Sequence, residues 1–365
     1  MFVVVTRSFP PDIGGMQNLM EGLSKSLVEH GPVKVFADGL GDAEGYDKNS
    51  KLNIIRISGL KLFRKYRKAK IVSKFIREKK DIRAIFFDHW KSIEHIHSST
   101  FKNIPTYCLI HSKEIFHPIG TSNNARMKKA FSKASFIIAN SNFTKKLAVK
   151  CGIDASKIRV IFPGINVPIK IDESTNLKSK EIIGNSYPSL ITVARLDKRK
   201  NHEKVIMVLK NLKSEFPRIK YVIVGSGDEE KNLQELVKEL KLDNEVVFLK
   251  EIDIKLKIAL TKNVNFFIMP SIIVKRSVEG FGIAFMEAAS YGIPSIGGKD
   301  GGASDAIKDN VTGIICNGEN INSIYDSIKN LINDKKYINY GNAAKEFSES
   351  FHWNKVVKQY LELIN

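Results

Sequence analysis

The sequence predicts an α/β protein with two domains, and three observations support this class. Short apolar runs of strand length alternate with longer polar or amphipathic stretches along both halves of the chain, the pattern of strands joined by helices. A glycine turn follows a strand in each half, at Gly14-Gly15 and at Gly225-Ser226-Gly227. Such turns bring main-chain N–H groups to the carboxyl edge of an open α/β sheet, where nucleotides bind. The length of 365 residues is sufficient for two hydrophobic cores.

The composition is that of a soluble globular protein. Apolar residues make up 43% of the chain and charged residues 27%, the proportions of a folded domain. No apolar run is long enough to cross a bilayer, and the apolar start is too short for a signal peptide, so we expect a cytoplasmic protein. Cys108, Cys151 and Cys316 are scattered without metal-ligand spacing and are predicted to be reduced core residues.

The net charge of +19 requires an explanation. Nucleic acid, an anionic membrane surface and anionic substrates would each suit a basic protein. A genome biased toward lysine is a further explanation, and the many Ile, Asn and Lys residues fit it. The sequence contains no nucleic-acid-binding motif and no basic stretch with the expected interleaved aromatic residues, so no nucleic-acid partner is predicted.

Much of the positive charge is concentrated in residues 51–80, which contain twelve basic residues and a single acid, Glu78. Apolar residues recur at roughly helical intervals from Leu60 onward, so the segment predicts a basic amphipathic helix. Two interpretations remain open: a helix that lies on an anionic membrane, or a helix whose apolar face packs on its own sheet. The membrane or acceptor contacts predicted by the first interpretation are Arg64, Lys65, Arg67 and Lys68.

In the first half, a helix over 18–29 follows the glycine turn. The predicted strands of that half are 2–6, 33–36, 54–57, 84–87, 105–111, 134–141 and 157–166. The segment 168–189 is polar, lysine-rich and without sustained periodicity, so it is predicted to be a linker. The second half predicts strands at 190–194, 221–224, 246–249 and 265–269, with a helix at 229–240. A last helix begins near Phe351.

The chemistry is predicted to centre on residues 279–287. Gly280 and Gly282 permit a close approach of ligand to main chain, and the helix that begins at Ile283 offers free N–H groups to an anion. Glu279 and Glu287 flank this helix start, and carboxylates accept hydrogen bonds from sugar or ribose hydroxyls. Taken alone, two glutamates at this spacing are also ordinary in a helix with a solvated face.

Two cations precede this stretch in the sequence. Arg195 ends a predicted strand and Lys200 lies five residues later. Cations at the carboxyl edge of a sheet are suited to a diphosphate leaving group through charge-assisted hydrogen bonds. His111, at the end of another strand, is by itself more often a structural histidine.

These motifs, in this order, resemble the retaining glycosyltransferases of family 4, including the phosphatidylinositol mannosyltransferase-like subgroup. The loop Asp12-Ile13-Gly14-Gly15-Met16-Gln17 is similar to the D-x-G-G-x-Q loop of the family, and the segment from Arg195 to Lys200 is similar to its R-L-x-x-x-K motif. The resemblance implies the GT-B fold, with two doubly wound Rossmann-like domains that face each other across a cleft. It implies domains at 1–168 and 169–350, and a helix at 351–365 that crosses back to the first domain.

The resemblance also implies site residues. His111, Glu279, Arg195 and Lys200 are expected to be catalytic. The expected donor-binding residues are Gly15, Arg195, Lys200, Gly225, Ile252, Glu279, Phe281, Gly282, Ile283, Ala284 and Glu287. Lys250-Glu251-Ile252 stands where the family usually has a glycine, a departure close to the expected contacts with the nucleotide base.

The implied function is transfer of a hexose, with retention, from a UDP- or GDP-sugar to a lipid or lipid-linked glycan, as in glycolipid or lipopolysaccharide synthesis. No cofactor and no metal are expected, and the protein is expected to bind the cytoplasmic membrane face peripherally. A soluble small-molecule acceptor remains the alternative. An epimerase of the same fold would share the architecture but usually lacks the paired glutamates, and an inactive scaffold would not keep every donor-side charge.

Overall fold

A computed structural model describes residues 1–101 and 103–364. The chain divides into two compact units, unit 1 with residues 1–166 and 351–365, and unit 2 with residues 167–350. Each unit is built on a parallel sheet with helices on both faces, so the α/β class is confirmed.

The described part of unit 1 contains a sheet of seven parallel strands in the order β3-β2-β1-β4-β5-β6-β7. Their bounds are β1 Phe2–Val5, β2 Val33–Asp38, β3 Asn53–Ile57, β4 Ala84–Phe87, β5 Thr106–Ile110, β6 Phe136–Ala139 and β7 Ile158–Val160. The strand order reverses between β1 and β4, and ligands of open α/β sheets bind outside the carboxyl ends of strands at such a point.

The helices of unit 1 cover both faces of this sheet. Their bounds are α1 Gly15–Val28, α2 Glu44–Asn49, α3 Lys61–Glu78, α4 Trp90–Ile93, α5 Ser122–Phe131 and α6 Asn142–Lys150, with α15 Trp353–Glu362 added by the end of the chain. In β1, Val3 and Val5 belong to one apolar core, and Phe2 and Val4 belong to the core on the opposite face. A strand buried on both sides must be apolar throughout, which explains its uninterrupted run.

Unit 2, which the structure describes throughout, has six parallel strands in the order β10-β9-β8-β11-β12-β13. Their bounds are β8 Ser189–Val193, β9 Lys220–Val224, β10 Val246–Leu249, β11 Phe266–Met269, β12 Ser295–Gly298 and β13 Gly313–Cys316. The helices are α7 Glu173–Ile183, α8 His202–Leu212, α9 Glu230–Glu239, α10 Ile254–Asn263, α11 Ile283–Ser290, α12 Ala303–Ala306, α13 Ile321–Ile332 and α14 Lys336–Ser348. The order reverses between β8 and β11, a second switch point of the same kind.

The segment 168–189 is not the linker that its polarity predicted. Helix α7 occupies Glu173–Ile183, and the Asp172 side chain caps it by accepting a hydrogen bond from the Thr175 N–H. Only Ser179 and Ile183 of this helix are buried. Such a narrow buried stripe leaves little periodicity to detect in the sequence.

Helix α15 belongs to unit 1. Trp353, Val356, Val357 and Tyr360 lie in the same core as β1 and α1. The Trp353 indole lies against Gly22 of α1 and Gly164, where any side chain would overlap it. The residues that follow α15 are also held, because the Tyr107 hydroxyl donates a hydrogen bond of 2.5 Å to the Leu363 carbonyl.

None of the helices among the described residues combines the length and the hydropathy that a membrane span needs. The three cysteines are buried and unpaired, as the sequence predicts.

Candidate functional site

Five charged side chains form a connected network at the carboxyl edge of the unit 2 sheet. The Glu279 carboxylate accepts hydrogen bonds from Arg199 Nη1 at 2.6 Å and from Lys200 Nζ at 2.5 Å, both on Oε2. Asp197 Oδ2 lies 3.7 Å from Arg199 Nη2 and 3.4 Å from Arg195 Nη2. Three cations and two carboxylates leave the network with a net positive charge, which suits a polyanionic ligand.

Burial alone would raise the pKa of Glu279, but Lys200 and Arg199 hold that pKa at about 2. Glu279 is therefore ionised at neutral pH and can accept hydrogen bonds only. The Lys200 side chain is 12% exposed, whereas Arg195 is 75% exposed and open to an incoming anion.

A turn between β8 and α8 fixes the cations. Arg199 and Lys200 lie in a 3-10 turn, Lys198–Lys200, that ends at Asn201 in the left-handed region, with φ 62°. The Asn201 side chain donates hydrogen bonds to the carbonyls of Pro270 at 3.0 Å and Gly318 at 2.7 Å. Pro270 directly follows β11, so this amide ties the cationic turn to the strand that leads to Glu279.

Two glycines let main chain approach main chain beside the network. A side chain at Gly225 would overlap the Ala194 carbonyl, so the end of β9 can lie against the residue before Arg195 only because Gly225 is a glycine. The Gly302 N–H donates to the Glu279 carbonyl at 2.9 Å, and a side chain at Gly302 would overlap the Gly280 carbonyl.

Helix α11 begins with the predicted glycine. Gly282 is its N-cap, with φ 90°, and Ile283 and Ala284 in its first turn are half-buried. Burial raises the pKa of Glu287, one turn further. The Phe281 side chain is fully buried, so any contact of this residue with a donor would come from its main chain. Ile252 is half-buried in the loop after β10.

In unit 1, polar groups gather at the carboxyl ends of β1, β4 and β5. Asp88, buried after β4, accepts hydrogen bonds from the Thr6 hydroxyl at 2.9 Å, the Arg7 N–H at 2.7 Å and the Ser92 hydroxyl at 2.7 Å. His111 Nε2 donates to the Asp88 carbonyl at 3.1 Å. Gly15 is exposed in the first turn of α1, three residues before the predicted helix start.

The basic segment forms helix α3, and its two halves differ. Ala69, Val72 and Ile76 in the second half are buried in the core of the sheet. The first half and the N-cap residue before it leave four large apolar side chains exposed: Leu60, Leu62, Phe63 and Tyr66. The interpretation of a helix packed on its own sheet is therefore confirmed for the second half, and the membrane interpretation stays a prediction for the exposed first half.

The prediction that Lys68 contacts the membrane or the acceptor is wrong. Lys68 is buried, and its ammonium contacts Asp38 Oδ1 at 2.5 Å and the Thr6 carbonyl at 2.8 Å. Arg64 is partly buried, 3.8 Å from Asp38 Oδ2, while Lys65 and Arg67 are exposed. Helical periodicity turns Lys68 toward the sheet, where Asp38 compensates its charge.

Sequence reasoning missed Arg199 and Asp197. Their signal was present as three consecutive cations, Lys198-Arg199-Lys200, directly after an acid. In a lysine-rich chain this run is unremarkable, and only the fold places Arg199 on Glu279, 80 residues away.

Both units match family models. Residues 13–167 match the model described as Glycosyltransferase Family 4, and residues 173–347 match the model described as Glycosyl transferases group 1. Together the two models account for most of the chain.

Curated relatives are similar over the full length or part of it. A GDP-mannose-dependent alpha-(1-6)-phosphatidylinositol monomannoside mannosyltransferase of Mycolicibacterium smegmatis is 23% identical, with 100% of this chain and 98% of the relative aligned. A Campylobacter jejuni enzyme that adds N-acetylgalactosamine to a diphospho-undecaprenol-linked sugar is 27% identical over 64% of this chain and 61% of its own length.

Solved structures share the fold. The Anabaena protein HepE, solved in complex with UDP, superposes with a TM-score of 0.82 at 19% identity over 99% of this chain and 98% of that one. The lipopolysaccharide outer core galactosyltransferase WaaB superposes with a TM-score of 0.73 at 16% identity over 100% and 99% of the two chains.

Proposed function

Since this chain belongs to the glycosyltransferases of family 4 and has their GT-B fold, we propose a specific reaction for it. It transfers a hexose, with retention of configuration, from a UDP- or GDP-sugar to a lipid or lipid-linked glycan. The reaction takes place at the cytoplasmic face of a membrane to which the protein binds peripherally.

The observation that carries the choice of acceptor is the exposed first half of α3. Leu62 is 70% exposed and Phe63 55% exposed, a costly arrangement in water for side chains of this size. Basic residues surround them, and each contributes roughly 1 kcal/mol of attraction near an anionic bilayer. Apolar side chains inside a basic rim fit a membrane interface better than they fit bulk water.

On the donor side, the charge network supplies the catalytic electrostatics. Arg195 and Lys200, with the main-chain N–H groups of Gly15 and of residues 282–284, stabilise the departing diphosphate. Lys200 can share its ammonium between Glu279 and a phosphate oxygen, while Arg199 keeps the carboxylate in place. Glu279 then accepts hydrogen bonds from sugar hydroxyls, and Glu287 from the ribose.

The bond changes follow a same-face displacement. The bond between the anomeric carbon and the diphosphate oxygen breaks, and the acceptor oxygen bonds to the same face of the sugar. The acceptor proton passes to the leaving phosphate oxygen. His111 takes part as a hydrogen-bond partner of a sugar hydroxyl. In this scheme the protein's cations fulfil the role that a divalent metal would have, so turnover should persist in excess EDTA.

The test combines vesicle sedimentation with a transfer assay on the full chain. We expect binding to phosphatidylglycerol vesicles but not to phosphatidylcholine vesicles, weakened by salt because the attraction decays over about 8 Å at physiological ionic strength. Leu62→Ser with Phe63→Ser should abolish binding, and so should Lys65→Glu with Arg67→Glu. The matched control, Lys79→Glu with Lys80→Glu at the two exposed positions directly after α3, should bind normally.

A protein that stays in the supernatant at low salt would contradict the membrane-bound acceptor and favour a soluble one. Transfer of label from UDP- or GDP-hexoses into a lipid extract would identify the donor. Conversion of the nucleotide sugar without any acceptor would instead favour an epimerase.

A further inference from the structure

Four cations lie near the carboxyl edge of the unit 1 sheet: Arg7, Lys65, Lys91 and Arg126, here called the cationic cluster. Arg7 follows β1 by two residues and Lys91 follows β4 by four, and these strands are paired neighbours. Their ends form the point where the strand order reverses, at which open α/β sheets bind ligands.

Aromatic and acidic side chains connect three of the four cations, and Arg7 lies close enough to Lys91 to lower the pKa of that lysine. Lys91 Nζ lies 5.2 Å and Arg126 Cζ 5.6 Å from the centre of the buried Trp90 ring. The Arg126 guanidinium also donates two hydrogen bonds, of 2.7 and 3.1 Å, to the Glu94 carboxylate. Glu94 lies 3.3 Å from His95. The His95 ring lies 4.5 Å from the Tyr66 ring, centre to centre, at a tilt of 47°, and Lys65 Nζ is 4.9 Å from the Tyr66 ring.

Among the described residues, Arg126 is the one member of the cluster with a carboxylate partner, Glu94. Glu94 is ion-paired with Arg126 and lies beside His95. The buried Asp88 carboxylate accepts hydrogen bonds from the Thr6 hydroxyl, the Arg7 main-chain N–H and the Ser92 hydroxyl. Over residues 1–101 and 103–364, no carboxylate forms an ion pair with the side chain of Arg7, Lys65 or Lys91. Partial burial and repulsion from Arg7 and Arg126 lower the pKa of Lys91. A bound anion would relieve this repulsion.

We propose that the cationic cluster binds the phosphate or diphosphate group of the acceptor, with Arg7 and Lys91 as its principal contacts. This inference rests on the proposed function, since it assigns a chemical class to the acceptor of that reaction. Charge-assisted hydrogen bonds from guanidinium and ammonium groups are the strongest contacts that a protein surface offers to phosphate oxygens.

The position of the cluster supports a lipid phosphate over a free one. Tyr66 contacts Lys65 and His95 on one side and belongs to the exposed apolar set of α3 on the other. An acceptor whose lipid chain lies along Leu62 and Phe63 would present its charged linkage to the cluster. Its sugar would then lie nearest the sheet edge and His111.

Calorimetry on the full chain tests the inference with two soluble probes, geranyl diphosphate and a short-chain phosphatidylinositol below its micelle concentration. Saturating UDP or GDP keeps the probes out of the donor site. We expect at least one lipid phosphate to bind, and Arg7→Gln with Lys91→Gln to weaken that binding by about tenfold or more. Lys79→Gln with Lys80→Gln, which removes the same charge from exposed positions, should leave it unchanged.

Failure to bind either lipid phosphate, or equal binding by both double variants, would overturn the inference. Inorganic pyrophosphate that binds as tightly as geranyl diphosphate would assign the cluster to a free anion and overturn the acceptor assignment. Lys200→Ala separates the two proposals: it should weaken binding of the nucleotide, yet leave binding of the lipid phosphate intact even if the donor-side scheme is wrong.

Discussion

Glu279 is kept ionised by two cations, Lys200 and Arg199, which are held by different numbers of partners. Lys200 is held by Glu279 and approaches Met269 Sδ at 3.2 Å, whereas Arg199 is anchored between Glu279 and Asp197. If Lys200 were the only cation beside Glu279, this buried carboxylate would be left unpaired whenever Lys200 turned to a phosphate. An unpaired buried charge has a high cost in free energy. In the proposed mechanism Arg199 is therefore a positioning residue, because it keeps Glu279 paired when Lys200 turns to a phosphate.

Replacing Arg199 should change the pH dependence of the enzyme. The pKa of Glu279 lies at about 2, below its ordinary value of 4.5, so its ionisation stabilises the fold above pH 4.5 and this contribution is lost as the pH falls toward 2. In Arg199→Met that pKa should rise toward the ordinary value. The acid limb of the pH–turnover profile should therefore move upward by about one unit or more.

Arg199→Lys is the matched variant, because it retains a charge and should restore most of the wild-type profile. Turnover should fall about tenfold or more in Arg199→Met, with little change in nucleotide affinity by calorimetry. An unchanged pH profile in Arg199→Met would contradict the positioning role.

Helices α3 and α15 show that the packing of a helix depends on the elements around it. Helix α3 packs with its second half and exposes apolar side chains with its first. Helix α15 begins 348 residues after the end of β1, yet it shares the core of β1, and its Trp353 indole lies against Gly22.

The contact between α1 and α15 yields a prediction in which two effects oppose each other. Alanine at a helix interior is about 1 kcal/mol better than glycine, so propensity alone predicts that Gly22→Ala stabilises the protein. The added methyl group would overlap the Trp353 indole, and overpacking of this kind costs about 1–3 kcal/mol. We expect the overlap to dominate and the denaturation midpoint to fall.

Gly45→Ala is the control, since Gly45 lies in helix α2 and its added methyl group would meet no neighbour within 4 Å. That variant should be neutral or slightly more stable than wild type. If Gly22→Ala were stabilised to the same extent, the tight packing of α15 on α1 would be refuted.

At the scale of the whole molecule, the two units differ in the number of chain segments that form them. Unit 2 is one continuous segment, 167–350, that carries the entire network from Arg195 to Glu279, whereas unit 1 needs residues from both ends. The core of unit 1 loses Trp353, Val356, Val357 and Tyr360 if the chain stops at Ser350, and loss of a buried Trp alone costs about 3–5 kcal/mol.

We therefore expect truncation after Ser350 to unfold unit 1 selectively. Denaturant titration followed by circular dichroism should lose the transition of unit 1, while the separate fragment 167–350 should fold and still bind UDP or GDP. A truncated chain that unfolds at the same midpoint as the full chain would show that α15 contributes little.

The sequence by itself determined the α/β class, the positions of most strands and the family, because these depend on local patterns. Apolar runs identify strands that are buried on both faces, and glycine turns followed by helices mark the ends of such strands. The cationic and acidic motifs around Arg195, Lys200 and Glu279 were visible for the same reason.

Only the tertiary structure decided which charges meet. Lys68 and Lys65 look equivalent in the sequence, but the helix turns Lys68 to Asp38 inside the protein and leaves Lys65 outside. Arg199 is paired with Glu279 across 80 residues, and α7 is helical despite its weak pattern. Ion pairs and burial depend on which distant elements pack together. Local sequence patterns do not predict that packing, because they reflect only residues that are close in the chain.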